Sequence, residues 1–120
     1  MTVVDFAASW CAPCWRSLPE LQKLAKAHPD MRFLVVSVDE SAQGRDKLVR
    51  QLELGLPVLW DEDRSIAEHY RPKAMPTTVV VDEKGQVLGT FEGSGKESWQ
   101  GLVALVERLD PPSPSVSGDP

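Results

Sequence analysis

The residues best equipped for chemistry in this 120-residue chain are its only two cysteines, set three positions apart as Cys11-Ala12-Pro13-Cys14. A bridge between them closes so short a loop that the chain-entropy account grants it only about 2 kcal/mol, which makes a purely structural disulfide a weak reading. A tetrahedral zinc site needs two further ligands, and the two histidines, His28 and His69, lack the close spacing of a zinc finger. Soft thiolates also suit Cu(I), so a Cu(I)- or Zn(II)-binding metallochaperone stands as the alternative. The remaining reading is a redox pair whose thiols form and break a disulfide during turnover, with no other cofactor.

The elements that must hold this pair follow from the apolar pattern. Val3 to Ala8 is a short apolar run that reads as a strand covered on both faces. Trp15, Leu18, Leu21, Leu24 and Ala25 then recur at helical spacing until His28-Pro29-Asp30, with Pro19 expected to kink the helix. Met31 to Val38 reads as a second strand, and a helix from Ala42 to Leu54 is expected to stop at Gly55. Leu56 to Trp60 is a short extended piece, and Arg64 to Tyr70 one or two helical turns. Thr77 to Val81 and Gln86 to Glu92 form strands joined by the polar turn Asp82-Glu83-Lys84-Gly85. Ser94 and Glu97 have capping-box spacing before a closing amphipathic helix that carries Trp99, Leu102, Val103, Val106 and Leu109.

Composition narrows the function classes. A net charge of −5 and a pI near 5.0 offer no cationic surface for nucleic acid or anionic lipid. The longest apolar runs fall far short of a bilayer span, and the first residues lack the basic and apolar regions of a signal peptide. The length fits one domain, expected over residues 1–109, with the Pro- and Ser-rich residues 110–120 as a disordered tail.

The order is β-α-β, a helical connection, then β-β-α. The first two strands should pair in parallel through a right-handed crossover, and Thr77–Val81 can lie antiparallel beside the first. That arrangement brings Trp10-Cys11 and Met75-Pro76 to one place.

Those segments carry a resemblance. Ala-Ser-Trp-Cys-Ala-Pro-Cys at residues 8–14, Leu18-Pro19-Glu20-Leu21, Val38-Asp39-Glu40-Ser41 and Pro76-Thr77-Thr78-Val79-Val80-Val81-Asp82 together resemble the thioredoxin superfamily, and within it the TlpA/ResA group of thiol-disulfide oxidoreductases. The resemblance implies a thioredoxin-like α/β fold, a central four- or five-stranded mixed sheet flanked by helices. It also implies a cis peptide bond between Met75 and Pro76.

The same resemblance assigns roles. Cys11, at a helix N-terminus that favours a thiolate, is the nucleophile, with a pKa expected below the free value of about 8.5. Cys14 is the resolving thiol. Ala12 and Pro13 tune the pair and, with Trp10, Met75 and Pro76, meet an extended substrate segment that adds as a short strand. Asp5 stands where thioredoxins carry a buried aspartate and would exchange a proton with Cys14; the plainer reading is a backbone-bonding Asp at an exposed edge. Glu40 stands where ResA-like proteins carry an active-site glutamate, or is a solvated loop residue. Trp10 is expected to pack beside the site, and Trp15 either widens a docking surface or belongs to the core. The implied partners are protein disulfides or dithiols and an upstream redox protein, acting on a monomer. The group is usually extracytoplasmic, whereas this chain as written, without a leader or anchor, would be cytoplasmic.

Overall fold

The structure, a computed structural model, describes residues 1–111. Strands β1 (Thr2–Ala7), β2 (Arg32–Ser37), β3 (Val58–Trp60), β4 (Thr77–Val81) and β5 (Val87–Glu92) form one sheet in the order β3-β2-β1-β4-β5. The helices are α1 (Ala12–Ala27), α2 (Ala42–Leu52), α3 (Ser65–Tyr70) and α4 (Lys96–Leu109). β1 pairs in parallel with β2 and antiparallel with β4, as expected, and the Leu56–Trp60 piece supplies the fifth strand, parallel to β2.

β1 is central because both of its faces are apolar enough to be covered. Val3 and Ala7 belong to a cluster with Leu18 and Leu21 of α1, Leu48 of α2 and Leu102, Leu105 and Val106 of α4. Val4 and Phe6 point the other way, into a smaller cluster with Val36, Val79 and Val81, against which Ile66, Ala67 and Tyr70 of α3 pack. The alternation of side chains along a strand therefore places Asp5 on the same face as Val3 and Ala7, toward the larger cluster.

Helix ends depart from expectation in three places. α2 stops not at Gly55 but at Glu53, which adopts left-handed backbone (φ 50°, ψ 49°) and donates its N–H back into the last turn, so that Leu54 can turn inward and be buried. The Ser94/Glu97 capping box does not form. Gly95 caps α4 without a side-chain bond, and Ser98 Oγ instead donates to the Glu92 carbonyl. Finally, Asp110 is not tail, because its carboxylate lies 2.9 Å from Nδ1 of the buried His28 and ties the end of α4 to the end of α1. The rest of the expected tail, residues 112–120, lies outside the described residues. α1 runs through Pro19 as one helix. The β4–β5 turn is as read, with Gly85 at φ +82° and Asp82 Oδ1 accepting from the Lys84 and Gln86 N–H groups.

Candidate active site

Cys11 and Cys14 are joined as a disulfide, with their Cα atoms 5.4 Å apart. Cys11 is the N-cap of α1, and its Sγ accepts a 3.2 Å hydrogen bond from the Cys14 N–H. One donor left free by the start of the helix is therefore aimed at the Cys11 sulfur, an arrangement that favours negative charge there. Pro13 sits in the first turn, where its missing N–H costs nothing. Cys11 is 4% exposed and Cys14 is fully buried, which gives the outer sulfur first access to a partner. Ala12 is exposed and Pro13 half-buried on the same outer turn.

The loop before Cys11 is held from two sides. The Cys11 N–H returns to the Ala8 carbonyl, closing a tight turn with Ser9 and Trp10 at its apex. Ser9 donates its N–H and its hydroxyl to Asp39 Oδ1 (2.9 and 2.6 Å), and its carbonyl accepts from Trp15 Nε1 at 2.9 Å. The second Asp39 oxygen accepts from the Ser37 hydroxyl, and the Asp39 carbonyl accepts from Trp60 Nε1. Trp15 thus both packs against the core and fixes the loop. Trp10 is not packed into the core. At 63% exposure it is the most exposed large apolar side chain among the described residues.

The third segment arrives from the start of β4. The Met75–Pro76 bond is cis, Pro76 is buried, and the Pro76 carbonyl accepts from Gly93 N–H at 2.7 Å, a contact that Gly93 makes with φ +80°. Met75 is half-buried beside it. Below this loop, a cavity of about 190 Å³ is lined by Asp5, Ser17, Glu20, Pro76, Thr78 and Trp99, among others.

Asp5 is 3% exposed, which disposes of the exposed-edge reading. One carboxylate oxygen accepts from Thr78 Oγ1 at 2.6 Å, and Oδ2 has no partner among the described residues. Burial disfavours the charged form and outweighs the Thr78 bond, pushing the Asp5 pKa from 3.8 up to about 7. Ser17, which lines the same cavity, donates to the Cys14 carbonyl at 3.4 Å and so connects this chamber to the Cys14 turn of α1. Glu40 is exposed and makes no side-chain hydrogen bond or ion pair among the described residues.

Sequence reasoning missed Ser9, Asp39 and Thr78. Each acts through a partner far along the chain, so only the alternation that puts Thr78 opposite Asp5 could have revealed one of them. Among the described residues, no group of three or more His, Cys, Asp or Glu side chains is arranged to hold a metal, and no helix is long and apolar enough to cross a membrane.

Comparison with known proteins agrees with this geometry. The AhpC/TSA family matches over residues 1–89. Sporulation thiol-disulfide oxidoreductase A of Bacillus subtilis is 28% identical over 97 residues, which cover 77% of this chain and 59% of that protein. Thioredoxin H3 of Arabidopsis thaliana is 32% identical over 108 residues, 90% of this chain and 70% of the relative. The structure of MTB dsbF in its mixed oxidized and reduced forms superposes with a TM-score of 0.79 at 24% identity, covering 90% of this chain and 79% of that one, and so shares the fold. The chain thus spans well under two thirds of the Bacillus relative's length.

Proposed function

The chain belongs to the AhpC/TSA family within the thioredoxin superfamily, and on that premise we propose that it is a thiol-disulfide oxidoreductase that reduces protein disulfides. The observation that carries the reading is the Cys11–Cys14 disulfide at the N-terminus of α1, in a fold whose cis-Pro76 loop belongs to the same end of the sheet.

In the reduced protein, the Cys11 thiolate attacks one sulfur of a substrate disulfide. A Cys11–substrate bond forms, the substrate S–S bond breaks, and the leaving thiolate takes a proton from solvent. Cys14 then gives up its proton and attacks the Cys11 sulfur. The Cys11–Cys14 bond forms as the mixed disulfide breaks, and the second substrate thiolate leaves. The substrate gains two electrons from the cysteine pair, and its two thiolates take up one proton from solvent and the equivalent of the one that Cys14 released. An upstream dithiol partner restores the reduced pair, so the reaction calls for no cofactor beyond the cysteines.

Asp5 is the group proposed to take the Cys14 proton. A carboxyl with a pKa of about 7 is close to half-ionised at neutral pH and can both accept and return a proton. Asp5, with one oxygen unpartnered among the described residues, lines a chamber large enough for water, the natural carrier between carboxyl and thiol. Glu40, exposed and unbonded, is left as a loop residue. The protein is proposed to act as a monomer.

The test is catalysed reduction of insulin by dithiothreitol, together with capture by Cys14→Ser. The native protein should accelerate insulin reduction and Cys11→Ser should not, while Cys14→Ser should accumulate a mixed disulfide through Cys11. Equal rates for the native protein and Cys11→Ser would refute the reading.

A further inference from the structure

Beside Trp10 runs a groove of about 420 Å³, lined by Trp10, Val38, Arg64, Glu68, Arg71 and Met75, among others. Two of these residues tie it to the redox pair by chain connectivity, since Trp10 precedes Cys11 and Met75 precedes Pro76. The groove is therefore within chain-neighbour reach of both segments that meet at the disulfide.

The rest of the lining comes from α3 and its flanks, and it is charged. Arg64 precedes α3 and Arg71 follows it; both are exposed, and neither forms an ion pair among the described residues. Both also hold left-handed backbone, at φ 61° and 52°, where a side chain is tolerated at a cost that glycine avoids. Arginine at both costly positions puts two long cations on the groove. Glu68 is the only acid among the lining residues, so the lining itself carries a net charge of +1 on a chain of net charge −5.

We propose that this groove docks an extended segment of the protein substrate, with an apolar side chain against Trp10 and Met75 and an acidic side chain against Arg64 and Arg71. The proposal rests on thiol–disulfide exchange at Cys11 and adds a substrate class to it: protein disulfides flanked by Asp or Glu. An exposed indole beside unpaired arginines is the composition that anchors partner segments. Exposed charges of this kind act mainly on encounter, so the effect belongs to kcat/KM and weakens as salt is added.

The experiment uses two synthetic peptides, each closed by one disulfide and identical except for Asp or Lys flanking the cysteines, with uncharged 2,2′-dithiodipyridine as the reference oxidant. The readout is the ratio of the acidic to the basic peptide rate in each protein, so intrinsic reactivity of the peptides cancels between native and variant. The native ratio should exceed the variant ratio about three- to tenfold at low ionic strength. Arg64→Gln with Arg71→Gln should lower the ratio, and Arg64→Glu with Arg71→Glu should lower it further. Arg64→Gly with Arg71→Gly removes the same charges on backbone that glycine adopts freely, and should lower the ratio with no loss of thermal stability. A ratio unchanged across native protein and all double variants overturns the docking proposal. No reaction of the native protein with 2,2′-dithiodipyridine overturns the redox reading itself, which keeps the two failures apart.

Discussion

Thr78 donates its hydroxyl to Asp5 at 2.6 Å from directly across the β1–β4 pair, in which the two residues are register partners. The bond satisfies one oxygen of a carboxyl that burial has pushed toward neutrality, and it opposes that push. The balance leaves Asp5 titrating near neutral pH inside an apolar cluster.

Stability should therefore depend on pH in an uncommon direction for an aspartate. With 3.8 unfolded and about 7 folded, the folded state binds the proton more tightly, so the contribution is fully present below about 3.8 and is lost as pH rises through 7. At about 1.4 kcal/mol per unit, as much as ~4 kcal/mol is at stake. Asp5→Asn should gain stability over the native protein steadily between pH 4 and 8, as read by urea unfolding of the oxidised proteins. Parallel stability curves would rule this out.

Thr78→Val keeps the shape of the side chain and removes the donor. Because that bond lowers the Asp5 pKa, its loss should move the carboxyl titration above 7 and cost about 1–2 kcal/mol where Asp5 is charged. A carboxyl-carbon NMR titration of Asp5 in the two proteins reads the shift directly.

Gly44 lies in α2, where alanine ordinarily gains about 1 kcal/mol over glycine. Here a Cβ would overlap the Asp39 carboxylate, the group that holds Ser9 and Ser37, so Gly44→Ala should destabilise the protein instead. Asp39→Ala should itself cost about 3 kcal/mol by stranding charge-assisted donors. In that background Gly44→Ala should turn neutral or favourable, a non-additivity that a double-mutant cycle measures.

Glu53 ends α2 on left-handed backbone without a glycine's freedom. Glu53→Gly should raise stability by about 0.5–1 kcal/mol, measured as a higher denaturation midpoint with unchanged slope.

What could be read from the chain divides along physical lines. The strands were legible because Val3–Ala8, Met31–Val38 and Thr77–Val81 are apolar on both faces or β-rich, and such patterns are set locally. The cysteine pair and its helix start were legible for the same reason. The end of α2 was not, because Glu53 adopts a conformation that composition assigns to Gly55. Ser94 and Glu97 kept capping-box spacing, yet Gly95 took the cap position and Ser98 bonded elsewhere. The Ser9–Asp39 clamp and the His28–Asp110 tie join residues 30 and 82 positions apart, and no local pattern announces such pairs. Burial of Asp5 needed the sheet order, since an aspartate in an apolar run reads equally well as an edge residue.

The central place of β1 also bears on how the protein reaches its working state. Pairing Thr2–Phe6 with Thr77–Val81 encloses most of the chain in one loop, and the ordering entropy of that closure comes before the contacts that repay it. Asp5 meets Thr78, and Pro76 reaches its position, only when this closure is complete, whereas Cys11 and Cys14 share one helical turn and can pair in a largely unfolded chain. Oxidation of the two cysteines therefore says little about whether a molecule has folded. The shifted titration of Asp5, which exists only after the two distant ends of the sheet have joined, is the local signal that reports a finished fold.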